Sequence, residues 1–196
     1  MGRQGLWWMG ALLAVVAAPG RVVAAERPPL VVHVDDRIGV PAHDLAVAKR
    51  EVEAIFADAD IGIQWKVGRF PLSVVDTITR GLGARQVAVM LVSNTDDPLP
   101  GASGCTLGFA AKRPAVAYAF YNRIIEQSWL HPIDPGVLLG RVLAHEMGHV
   151  LLPPNSHSLH GIMRGNLDLG LENPDRFTGD QALAMRATLA GFVIGH

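Results

Sequence analysis

The chain has 196 residues, 49% of them hydrophobic and 18% charged, with a formal net charge of −1. This length supports one domain with a real core, and the composition excludes a disordered chain. The charge balance excludes the basic field by which a protein grips nucleic acid.

The N-terminal stretch MGRQGLWWMGALLAVVAAPGRVVAAERPP has the layout of an export signal. Arg3 supplies a positive start, an apolar run covers 6–18, and Val23-Ala24-Ala25 has the small residues of a cleavage site. The run is shorter than the roughly 20 apolar residues that a membrane span needs. Residues 1–25 are therefore expected to be a signal peptide, with retention as an uncleaved anchor the alternative. The expected mature domain is 26–196, secreted or periplasmic, with no stable membrane span. Cleavage removes Arg3 and Arg21 and no acid, which leaves 15 basic against 18 acidic residues, a net of −3.

PLVVHVDD (29–36) is a continuous apolar run that reads as a buried strand. In 41–60, Leu45, Ala48, Val52, Ile55, Phe56 and Ala59 fall at helical spacing. IGIQWKV (61–67) alternates Ile61, Ile63, Trp65 and Val67, the period of a half-buried strand. Residues 68–85 fit either a short helix or an irregular excursion. QVAVMLVS (86–93) is another strand, and 94–104 is loop by its turn residues. CTLGFAA (105–111) and PAVAYAFYNRI (114–124) read as two further strands with a tight connection at Lys112-Arg113. Cys105 is the only cysteine, so no intrachain disulfide can form, and it is read as a buried structural thiol.

DPGVLLGRVLAHEMGHVLL (134–152) is helical, with Asp134 placed to cap it and Pro135 at its first position. Pro153 and Pro154 end it, since neither has an N–H and Pro153 disfavours helical geometry at Leu152. Residues 153–177 read as an organised loop. A last helix is expected over 177–194, with Thr178 as its cap three residues before Gln181. The order of elements makes one α+β or α/β domain with a single sheet.

The chemistry concentrates in HEMGHVLLPPNSHSLHGIM (145–163). Residues four apart share a helix face, so His145 and His149 present two imidazoles to one ion, a donor set suited to Zn2+. Glu146 is turned by about 100° and flanks the ion as a base. A zinc-bound water has its pKa lowered toward about 7, within reach of such a base. Gly148 costs the helix about 1 kcal/mol against alanine, which implies close approach of another segment. Catalytic zinc commonly takes a third protein ligand. His157, His160, Asp168 and Glu172 are the candidates, and chain length alone admits more than one of them.

These residues resemble a metzincin, the zinc-peptidase clan that includes the matrixins and archaemetzincins. Its pattern is HExxHxxGxxH, or a final Asp, followed by a Met-turn. His145, Glu146 and His149 match the first half, and Gly161-Ile162-Met163 resembles the Met-turn. The clan's glycine position falls on Leu152 and its third-ligand position on Asn155. With two residues added to the turn, the resemblance assigns the third ligand to His157. It places Met163 beneath the metal as an apolar floor. Arg164 stands after Met163, so a Met-turn tyrosine ligand is absent.

The resemblance implies an α+β metzincin-like fold. It has one mixed, mostly parallel sheet with a long helix, an active-site helix, a Met-turn loop and a C-terminal helix. It also implies a secreted zinc endopeptidase that acts on protein or peptide substrates, with Glu146 as general base. Substrate would pair with an edge strand within 105–120, with Gly108, Phe109 and Ala110 near the cleft. Tyr118 and Tyr121 are read as packing residues first. The alternatives are a non-catalytic zinc-binding or interaction domain and a zinc hydrolase of a non-peptide amide.

Overall fold

The runs at 29–36 and 86–93 are mostly apolar, and both become inner strands of one sheet. The computed structural model describes residues 28–69, 85–93, 106–112, 115–166 and 176–191. Its elements, in chain order, are β1 (Leu30–Asp36), α1 (Ala42–Ala57), β2 (Ile63–Val67), β3 (Gln86–Val92) and β4 (Gly108–Lys112). They are followed by β5 (Ala115–Phe120), α2 (Tyr121–Leu130), α3 (Pro135–Leu151) and α4 (Gly179–Leu189). The expected signal peptide, the segment 70–84 and Cys105 lie outside the described residues. Among the described residues no helix is long and apolar enough to cross a membrane.

The sheet order is β2-β1-β3-β5-β4. β1 pairs in parallel with β2 and β3, and β3 with β5. β4 runs antiparallel to β5 and forms an edge, in register Gly108↔Ala119 and Phe109↔Tyr118. This is the mixed, mostly parallel sheet expected from the sequence. Alternate residues separate the two faces. Val32, Val34, Val87, Val89 and Leu91 belong to the large core that α1 and α3 cover. Ala88, Met90, Val92, Val116 and Phe120 form a second cluster.

Helices α1 and α3 meet at small residues. A Cβ added at Gly140 would lie 2.6 Å from Glu51 Cβ and 2.8 Å from the Ala48 carbonyl oxygen. One turn earlier, a Cβ at Gly136 would lie 2.7 Å from the Asp44 carbonyl oxygen. The helices therefore touch nearly backbone to backbone. Arg141 and Glu51 form an ion pair beside this contact, 3.4 Å between Nε and Oε1.

Helix boundaries follow local chemistry. The Asp134 carboxylate accepts from the Gly136 and Val137 N–H groups at 2.8 and 3.1 Å, with Pro135 in the first turn. α3 stops at Leu151, and Leu152 is extended ahead of Pro153. Thr178 and Gln181 form a reciprocal capping box at α4.

Two expectations need correction. Residues 121–124 are not strand: β5 ends at Phe120 and α2 begins at Tyr121. Tyr, Phe and Ile favour strands by local preference, but tertiary contacts override it here. Tyr121 donates to the Asp44 carboxylate on α1, Ile124 is fully buried, and Arg123 lies over the Phe120 ring at 4.5 Å. In 61–67, Ile63 and Trp65 are half-buried against the core and Gln64 and Lys66 are exposed, as the alternation implies, but the pattern fails at Val67, which is 55% exposed. Among the described residues β2 is an edge strand, and Val67 is its last residue.

Gly140→Val should destabilise the protein by about 1–3 kcal/mol or more through overpacking against α1. Urea unfolding checks this; an unchanged midpoint would disprove the backbone-close contact.

Candidate metal centre

One turn of α3 separates His145 from His149, and their rings meet edge to face with centroids 4.6 Å apart. The third imidazole arrives by a short reversal of the chain. Leu152 leaves the helix in extended geometry, and Pro153 and Pro154 prevent its continuation. Asn155 then adopts a left-handed conformation at φ 59°. Asparagine tolerates this region better than most residues. The reversal sets the His157 ring 4.7 Å from His149 and 5.4 Å from His145, centroid to centroid. Asn155, in the clan's third-ligand position, thus acts as the turn that returns the chain.

The three ligand atoms lie within 4.8 Å of one another, the one such cluster of His, Cys, Asp and Glu among the described residues. His149 Nε2 is 2.9 Å from His145 Nε2 and 3.0 Å from His157 Nε2. A single proton on that nitrogen can serve only one neighbour. A shared cation satisfies all three lone pairs. Tetrahedral zinc at about 2.0–2.1 Å from each nitrogen implies N···N separations of about 3.3–3.4 Å. The rings need to open by only a few tenths of an ångström, so the donor set fits zinc.

Outer contacts orient the rings. His145 Nδ1 lies 2.7 Å from the Ile162 carbonyl oxygen, which can only accept, so the proton sits on Nδ1 and Nε2 is left bare. His149 Nδ1 lies 3.2 Å from Ser156 Oγ. Burial holds the His145 pKa below the ordinary histidine range, against the pull of the Ile162 carbonyl. Burial, then the neighbouring His145 and His157, takes the His149 pKa down to about 4. Both rings therefore stay in the neutral form that binds metal.

The loop beneath is closed by its own backbone. Ser158 N–H donates to the Met163 carbonyl at 2.9 Å, and Arg164 N–H to the Gly161 carbonyl at 3.2 Å. Gly161 has φ +78° and turns against the Arg176 carbonyl, where a Cβ has no room. Met163 is fully buried. A Cβ at Gly148 would collide with the Met163 sulfur and lie 3.0 Å from the Phe177 ring. This is the close approach that a glycine in mid-helix implied. His160 sits exposed outside the cluster, its carbonyl accepting from Ser158 Oγ at 2.6 Å. Asp168 and Glu172 lie outside the described residues.

Glu146 shares the cleft with the triad but belongs to another side of α3. It is 8% exposed, and burial pushes its carboxyl pKa up to about 8. Residues 106–110, Gln127, Val142, Gly165 and Asn166 also line the cleft, whose volume is about 750 Å³. Gly108, Phe109 and Ala110 of β4 thus stand at the opening. Gln127 was missed at the sequence level, because the strand reading ended at 124 and no element was assigned to 125–133. Tyr118 stacks on Phe109 at 6.1 Å, and Tyr121 is tied to Asp44, so both have packing partners.

No family model matches the chain, and no curated protein matches it. Solved structures do. The crystal structure of an archaemetzincin from Methanopyrus kandleri superposes with a TM-score of 0.53 at 18% identity, covering 86% of this chain and 99% of that one. The fold is that of an archaemetzincin. A zinc-dependent peptidase from Methanocorpusculum labreanum is also similar, with a TM-score of 0.48, 15% identity, and coverage of 81% of this chain and 99% of that one.

If His157 is a ligand and His160 is not, zinc titration separates them. His157→Ala should weaken zinc binding by more than the roughly 10–100-fold that loss of an outer contact costs, while His160→Ala should leave it unchanged. The reverse pattern would sink the assignment.

Proposed function

We propose that this chain is a zinc-dependent peptidase, exported by its N-terminal leader, that hydrolyses peptide bonds in extended substrates. The observation that carries the reading is the convergence of three imidazole nitrogens beside a buried carboxylate in one open cleft. A non-catalytic zinc site has no use for a carboxylate that stands by the metal position and leaves it uncoordinated. The likeness of the fold to an archaemetzincin agrees with this reading.

His145, His149 and His157 would hold the zinc. Bound zinc supplies Lewis acidity, polarising a carbonyl and acidifying water. Glu146 accepts a proton from the attacking water and passes it to the departing amide nitrogen as the C–N bond breaks. The carboxylate ends the cycle as it began, and one water is consumed per bond cleaved. Burial favours its role, because a carboxyl raised from its usual range takes up a proton readily.

β4 supplies the place for the substrate. Among the described residues it is the last strand of the sheet and pairs only with β5. An extended peptide can bond to its free edge, as in other strand-addition complexes. Residues 106–110 then set the backbone of the substrate along the cleft over Glu146.

Glu146→Gln should keep one zinc per chain and lose about 10²–10⁴-fold in kcat on a cleavable peptide. Chelation should abolish the wild-type activity, and zinc should restore it. A zinc-loaded wild type that cleaves nothing in a broad peptide library would identify a binding domain instead. Full activity in Glu146→Gln would remove the carboxylate from the mechanism.

A further inference from the structure

The buried Glu146 side chain packs where the edge strand carries no side chain of its own. Gly108 opens β4 directly over it. A Cβ built at Gly108 would lie 2.7 Å from Glu146 Cγ and 2.8 Å from Glu146 Oε1. Neither distance is tolerable for carbon against carbon or oxygen.

The strand is tied to its neighbours, so yielding is costly. On the other side, the same Cβ would meet the Tyr118 carbonyl oxygen at 2.9 Å, and Tyr118 belongs to the paired strand β5. Just before β4, the Leu107 carbonyl accepts from the Phe120 N–H at 2.9 Å. At its far end, the Lys112 ammonium donates to the Leu152 carbonyl, which closes the C-terminus of α3. β4 is thus held to β5 by its ladder and to α3 by a charged contact. A methyl group at 108 is caught between a fixed carbonyl and a side chain with three rotatable bonds. The side chain moves.

We infer that Gly108 is a positioning residue for Glu146: the bare Cα of the edge strand keeps the space in which the carboxylate sits, and any side chain there displaces it. The role rests on the peptidase reading above. Gly108 itself touches neither the metal ligands nor any reacting atom through a side chain, so its effect on the chemical step runs through Glu146. Its φ is not in the left-handed region, which leaves space, not backbone conformation, as the reason for glycine.

The test uses the full zinc-loaded chain in four forms: wild type, Gly108→Ala, Glu146→Ala and the double variant. Gly108→Ala should keep one zinc per chain and a KM within about twofold of wild type, while kcat falls about 10–100-fold, the scale of a displaced reacting group. Thermal melting supplies a readout independent of activity. The loss in Tm caused by Gly108→Ala should shrink by at least half in the Glu146→Ala background, where Cγ and the carboxylate are gone. Folding only in that background also supports the assignment.

Two results would overturn it. One is a folded Gly108→Ala enzyme with unchanged kcat. The other is an equal Tm loss, or equal failure to fold, in both backgrounds, which would assign the whole effect to the Tyr118 carbonyl. A wild type that binds zinc and cleaves no peptide would end the peptidase reading, yet the melting cycle would still decide whether Gly108 and Glu146 are coupled.

Discussion

Everything in this protein is arranged around one nearly enclosed helix. Thirteen of the 17 residues of α3 are buried, so the helix has no solvent side to spare and each face must meet a partner. At about 100° per residue the partners take turns around the axis. Gly136 and Gly140 meet α1, Gly148 meets Met163, His145 and His149 face His157, and Glu146 faces β4. Bulk is excluded wherever backbone or a buried side chain must come close. The chain accepts the helical cost of glycine at these places because the contacts they permit cannot be made otherwise.

The same enclosure sets the electrostatics of the site. Removing imidazoles from water disfavours their charged form, which leaves lone pairs for a cation. Removing a carboxyl from water disfavours its anion, which makes it a better proton acceptor at the moment a proton is offered. Burial therefore lowers His145 and His149 and raises Glu146 by one physical cause acting on opposite charge types. A solvent-facing helix with the same five residues would have neither property.

The exit from α3 converts chain geometry into ligand geometry. Two prolines end the helix, a left-handed asparagine turns the chain, and a loop closed by its own hydrogen bonds buries Met163 against Gly148. Ser156 and the Ile162 carbonyl, both in that loop, hold the two helical histidines by their Nδ1 atoms. The loop thus delivers one imidazole and orients the other two.

Much of this was legible in the residues. The helical pair His145 and His149, the flanking Glu146, the Asp134 and Thr178 caps and the inner strands all follow from spacings of two to four residues. Such spacings are set by local backbone geometry. Helix α2 was not legible, because Tyr121 and Ile124 prefer strands locally and become helical only through contacts with α1 and the core. The choice between His157 and His160 was open for a related reason. An offset of three positions between two histidines changes the reach of the chain very little, and the left-handed turn at Asn155 helps decide which ring arrives. The sequence by itself determined which groups could do chemistry and that two of them share a helix face. Only the tertiary structure decided which third imidazole joins them and that a bare Cα stands over the carboxylate, because both depend on contacts between segments far apart in the chain.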